Sequence, residues 1–184
     1  MTGHSTSTPD AARLFDELLV TCVQSGDRRA AERLAVRWHP RMLRTAKRLL
    51  RDEDQARVAV QEAWLSITTG IGSLRDPSRF APWAFGILRR RCFDQIRLAR
   101  KRRNGEGGGE IDLPVDGASD EVLDIRRAFA ALPSDQRLAA QLFFVEGLTL
   151  AEIAEVQDVP LGTAKTRLFH ARRKLKAALS GENP

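Results

Sequence analysis

The feature that most limits how this chain can fold is the stretch from Asn104 to Ser119, NGEGGGEIDLPVDGAS. Its glycines lose much backbone freedom on ordering, its acids repel one another, and it has little apolar surface to bury. It reads as a flexible linker, so the 184 residues divide into two units rather than one deep core. The expected organisation is a tail over 1–10, a first domain over 11–103, the linker over 104–119, a second domain over 120–180, and a short tail over 181–184.

Both units read as helical. β-Branched residues are scattered without alternation, whereas apolar residues recur at helical spacing. A first helix is expected from Ala11 to Gln24, stopped at Gly26. Asp27 is placed to cap a second, with Ala30, Ala31, Leu34, Ala35 and Trp38 on one face and Pro40 as a possible break. A third runs from about Glu53 to Thr68. Beyond the loop from Gly70 to Arg79, Ser78 is placed to cap a long helix from Phe80 to Arg102.

After the linker, helix is expected from Asp120 to Leu132, then from a Ser134 cap to about Glu146, with Gly147 as the stop. Thr149 caps a short helix over 150–156, and a turn holds Asp158 and Pro160. A last helix runs from Gly162 to about Leu179, with Ala151, Ile153, Ala154, Val159, Leu161 and Leu168 as the inner apolar set. Two helices on a tight turn, the second strongly basic, make a helix-turn-helix. The fold class is all-α, with two small helical domains.

Net charge is modest, 30 Lys and Arg against 24 Asp and Glu, but its distribution is not even. Arg89 to Arg103 is basic apart from Asp94, Asn104 to Ile125 is acidic with no basic residue, and Thr163 to Leu179 is basic again. Two anion-binding faces joined by a segment that DNA repels fit that pattern. Cys22 and Cys92 lie in no CxxC or Cys/His cluster, so neither a metal site nor a disulfide is indicated. The first residues are polar, and no apolar run approaches membrane-spanning length; a soluble, cytoplasmic protein without membrane insertion is expected.

A recognition helix needs donors on its outer face. Thr163, Lys165, Thr166, Arg167, Phe169, His170, Arg172 and Arg173 supply that face, with Leu168 and Leu175 turned inward. In the other basic block, Phe80, Trp83 and Phe85 precede Arg89, Arg90 and Arg91. Aromatics beside arginines suit single-stranded nucleic acid, since bases stack on rings while arginines hold the backbone. Core packing explains the same rings equally well, and spacing does not choose between them.

VQEAWLSI and SLRDPSRFAPWAFGILRRRCFDQIR, within Val60 to Arg97, resemble region 2 of the extracytoplasmic-function sigma factors. ALPSDQRLAAQLFFVEGLTLAEIAEVQDVPLGTAKTRLFHARRKL, Ala131 to Leu175, resembles their region 4. The resemblance implies that Gln61, Glu62, Trp64 and Leu65 dock on the clamp helices of the largest subunit of RNA polymerase. It implies that Ser73, Leu74, Arg75, Arg79, Trp83, Phe85, Arg89 and Arg90 open and read the −10 element, and that the recognition-helix residues read the −35 element. The implied partners are core RNA polymerase (clamp helices and flap), promoter DNA and an anti-sigma factor, with the chain a monomer when free or a heterodimer with that anti-sigma. No cofactor is implied. The chain departs from the family pattern where "DAED" reads Gln55-Ala56-Arg57-Val58, where Gly86 and Arg90 replace an arginine and an asparagine, and at Leu74, where an aromatic is common.

Two other readings stay open: a sigma-like decoy that binds an anti-sigma factor without activating polymerase, and a plain helix-turn-helix regulator. An enzyme is disfavoured. His4, His39 and His170 sit in unrelated settings, with no accompanying nucleophile, metal cluster or phosphate loop.

Overall fold

The computed structural model describes residues 8–103, 125 and 127–179, and these contain helices and turns but no strand. The helices are α1 (Thr8–Gln24), α2 (Arg28–Leu50), α3 (Glu53–Gly70), α4 (Phe80–Arg103), α5 (Ser134–Ala140), α6 (Leu150–Gln157) and α7 (Leu161–Leu179). Residues 127–130 are helical as well, and a π-helical turn, Gln141–Val145, continues α5. The expected linker and both tail segments lie largely outside the described residues.

Local chemistry sets most boundaries. Asp27 accepts from the amides of Arg29 and Ala30 to start α2, and Asp52 accepts from that of Gln55 to start α3. Arg51 takes the left-handed conformation (φ 56°) that ends α2. Pro40 does not break α2. Trp38 and Met42 flank it at 1% and 0% exposure, so tertiary packing keeps the helix continuous despite one missing N–H. Two caps differ from expectation. Ser78 donates to Asp76, and Asp76 caps the 3-10 turn Pro77–Arg79 that leads into α4. Ser134 lies inside α5, whose N-terminus follows Pro133 without a side-chain cap.

In the first unit α2, α3 and α4 pack around Trp38. Its ring meets Phe80 edge-on at 5.0 Å and Phe85 at 5.7 Å, and its indole N–H donates to Asp16 of α1 at 3.1 Å. In the second unit, Thr149 and Glu152 form a reciprocal capping box that starts α6, and Asp158 (φ 52°) makes the turn into α7. Ile153, Ala154 and Leu168 are buried as expected, whereas Ala151 and Leu161 face solvent. Burial raises the Glu152 carboxyl, but bonds from Thr149 and Arg13 outweigh it and hold the group below the ordinary carboxylate value.

Arg137 organises the second unit. Buried on α5, it donates to the carbonyls of Phe129 (3.0 Å), Ala130 (2.9 Å) and Leu132 (2.6 Å), and to that of Arg48 on α2 (3.1 Å). Desolvation, aided by nearby Arg51, lowers its pKa to about 10, still fully charged at neutral pH. Cys92 is buried too, and desolvation pushes its thiol up to about 12, which leaves it protonated and unreactive near neutrality. Replacing Arg137 strands several carbonyls. Arg137→Ala should therefore cost about 3 kcal/mol, read as a drop in the urea midpoint, and Arg137→Lys should recover only part of it.

Candidate nucleic-acid interface

α7 turns its apolar side inward through Ala164, Leu168, Ala171 and Leu175, all buried. The 3.6-residue repeat then places Lys165, Thr166, Phe169, Arg172 and Arg173 on the opposite, exposed face. Phe169 is 61% exposed, an unusual position for a large ring unless something covers it. His170 packs edge-on against it at 5.6 Å. Among the described residues, Lys165, Arg172 and Arg173 have no ion-pair partner, so their charge is available to phosphate or base edges. Thr163 is half-buried near the helix start. Arg167 differs from the rest: it turns back to pair with Asp135 at 2.8 Å and to donate to Gln157 at 3.0 Å.

The second candidate face is built on the loop before α4 and the first turns of that helix. Gln24, at the end of α1, donates to the carbonyls of Ile71 (2.9 Å) and Leu74 (2.7 Å) and so pins the loop. Ser73 and Arg75 are exposed, and Leu74 is half-buried against the core. Arg79 is paired with Glu155 of α6. Arg90 is exposed. Arg89 is half-buried over the Phe93 ring at 4.9 Å, and desolvation lowers its pKa against the opposing pull of Asp135 and Asp158.

The aromatic alternatives resolve residue by residue. Phe85, an expected DNA contact, is 1% exposed beneath Trp38, so its assignment to DNA is corrected to core packing; Phe80, also 1% exposed, is core too. Trp83 is only half-buried, resting against Phe80 and against Gly70, where an added Cβ would meet its ring at 3.2 Å. It alone of the three rings keeps a surface for a ligand.

A third group lies on α3. Gln61 and Leu65 are exposed, Leu65 at 69%. Glu62 accepts from Gln95 at 3.4 Å, and Trp64 packs against the core with its indole N–H unpartnered. Leu65 and Glu62 border a shallow groove with Ser66, Thr69 and Arg91, next to the exposed Gln61. The acids at the start of α3 are engaged locally: Asp52 caps the helix, and Glu53 pairs with Lys47 and Arg57, which together lower its pKa.

Sequence reasoning did not reach Gln24, Asp135 or Glu146. Each acts across the fold on a distant element, and no local pattern marks such a residue. Asp76 was legible, since Asp before Pro and Ser is a turn signal. Phe85→Ala should lower stability by about 3–5 kcal/mol in a denaturant titration, whereas Leu65→Ala on the open face should change it by less than about 0.5 kcal/mol.

Comparison with known proteins agrees with this geometry. The Sigma-70 region 2 family matches residues 34–102, and the Sigma-70 region 4 family matches residues 123–175. The ECF RNA polymerase sigma-E factor of Escherichia coli strain K12 is 32% identical over 180 residues, covering 89% of this chain and 93% of the relative. The RNA polymerase sigma-H factor of Pseudomonas aeruginosa is 28% identical with the same coverage, 89% and 93%. Among solved structures, the sigma factor RpoE in complex with the anti-sigma factor NepR from Bartonella quintana superposes with a TM-score of 0.71 at 24% identity, over 83% of this chain and 98% of that one. CnrH in complex with the cytosolic domain of CnrY gives 0.67 at 22% identity, over 92% and 99%. With two family regions in order and a relative matched almost end to end, the chain belongs to the extracytoplasmic-function RNA polymerase sigma factors.

Proposed function

We propose that this sigma factor brings core RNA polymerase to promoters in the cytoplasm by reading duplex DNA with α7 and opened DNA with the Ser73–Arg90 face. The observation that carries the reading is the outer face of α7. Exposed Lys165, Thr166, Phe169, Arg172 and Arg173 stand on a capped helix-turn-helix, the arrangement that lets a helix enter the major groove. In this reading Arg75, Arg79, Arg89 and Arg90 hold the backbone of the opened strand, and Trp83 offers its free surface to a base. Gln61, Glu62 and Leu65 at the α3 groove form the polymerase contact. Trp64 supports that contact from beneath, and the Asp52 cap with the Glu53 ion pairs stiffens the helix that carries it.

A solved structure of the same fold is a sigma factor in complex with an anti-sigma factor, which supports control of this chain by such a partner. A decoy would bind that partner yet fail with polymerase, so the test is polymerase capture followed by run-off transcription on genomic fragments. Capture with defined start sites is the expected result. A folded chain that neither binds core polymerase nor directs initiation would overturn the reading. On the promoters found, Lys165→Ala should weaken use of the −35 end by about 1–3 kcal/mol. Arg167→Ala should have a mixed effect, because Arg167 also ties α7 to Asp135.

A further inference from the structure

We propose that the outer face of the α1–α2 hairpin is a docking site for a partner protein that presents an amphipathic helix with an acidic flank. The site goes beyond the promoter and polymerase reading and uses none of its residues.

Most of α1 is committed elsewhere. Leu19 and Val20 enter the first core, and Asp16 accepts from the Trp38 indole N–H and from Arg37. Arg13 donates to the Gly147 carbonyl and to Glu152. The remaining side is apolar and open: Leu14 is 70% exposed, Leu18 58% and Phe15 44%. Leu14 and Leu18 stand one turn apart on one stripe, with Phe15 beside them and exposed Ala11 a turn earlier. Single exposed leucines are ordinary, but three large apolar side chains on adjoining turns make a patch.

α2 supplies the charge. It carries seven arginines and one lysine against a single acid, Glu32. Arg29, Arg33 and Arg37 recur every four residues and so share one face. Arg37 fixes where that face lies, because its guanidinium stands 5.6 Å from the centre of the Phe15 ring. The two helices are joined by a short turn at residues 25–27 and run antiparallel. Arg33 therefore falls one turn further along the seam, towards the level of Leu18, and Arg29 one turn beyond it. Both are exposed and, among the described residues, neither has an ion-pair partner. Glu17 and Glu32 fall, by the same helical spacing, on flanks that turn away from the seam.

An apolar stripe edged by unpaired arginines selects its occupant. A helix laid along the seam sets its apolar side chains on Leu14, Phe15 and Leu18 and its acids towards Arg29 and Arg33. A basic helix would set like charges together. A nucleic-acid backbone would pair with the arginines and leave the apolar stripe in water. A second copy meeting this face about a two-fold axis would bring its own arginines into the same contact. The site is also separate from the polymerase contact. α2 carries α3 on another side, where Trp64 lies along Ala35, Val36, His39 and Pro40. The Sigma-70 region 2 match begins at residue 34, past α1, Arg29 and Arg33.

The test uses the full chain and two labelled synthetic helices of about 18 residues, each with leucine at i, i+3, i+4 and i+7. One carries glutamate at the other positions, and its counterpart carries lysine. Fluorescence anisotropy should show the glutamate helix binding at least about ten-fold more tightly than the lysine helix. Leu14→Ser with Leu18→Ser, which changes no charge, should weaken that binding by more than about ten-fold at unchanged circular dichroism. Arg29→Glu with Arg33→Glu should reverse the preference, so that the lysine helix becomes the tighter ligand. No binding, equal binding of the two helices, or binding untouched by the serine variants would each overturn the proposal. A wild-type dimer in sedimentation that the serine variants dissolve would also overturn it, assigning the face to a second copy. Flotation with phosphatidylglycerol vesicles that the same variants abolish would overturn it in favour of a membrane. None of these measurements involves polymerase or promoter DNA, so failure of the sigma reading in run-off transcription leaves the docking site standing.

Discussion

The Glu146 carboxylate has no contact with solvent, and a buried charge survives only where cations and donors surround it. Its partners cannot all come from its own unit. Gln141 is one turn away, but the arginines and the threonine stand on α2. That requirement fixes the second unit against the first and sets which face of α2 looks which way. One side of α2 buries Trp38, Met42 and Ala46 in the first core, while Arg41, Thr45 and Arg48 address the second unit. A break at Pro40 would separate these faces, so the packing that keeps α2 continuous also keeps the units in register.

The same helix explains how the α3–α4 surface is displayed. Trp38 lies under Phe80 and Phe85, and these two rings seat the start of α4. With the inner aromatics committed to the core, what remains outward is Trp83 and the arginines on the turns around it. Gln24 holds the preceding loop through the carbonyls of Ile71 and Leu74, and the Asp76 side chain caps the turn at its end.

Much of this could be read without coordinates. Helical content, the capping roles of Asp27 and Thr149, the stop at Gly147 and the inner and outer faces of α7 follow from periodicity and cap chemistry, which act within a turn or two of chain. The aromatic triplet was not legible in the same way. Phe80, Trp83 and Phe85 fall on neighbouring turns of one helix, and only the position of Trp38 decides which rings are covered.

The sequence by itself determined an all-α chain of two helical units, a helix-turn-helix with a basic outer face, and membership of a family with two matched regions. These depend on short-range spacing and residue type. Only the tertiary structure decided that Arg167 turns inward, that Arg79 meets Glu155, and that Glu146 is enclosed by α2. Ion pairs between residues far apart in the chain carry no periodic signature. Their choice of partner depends on which helices the apolar core has already brought together.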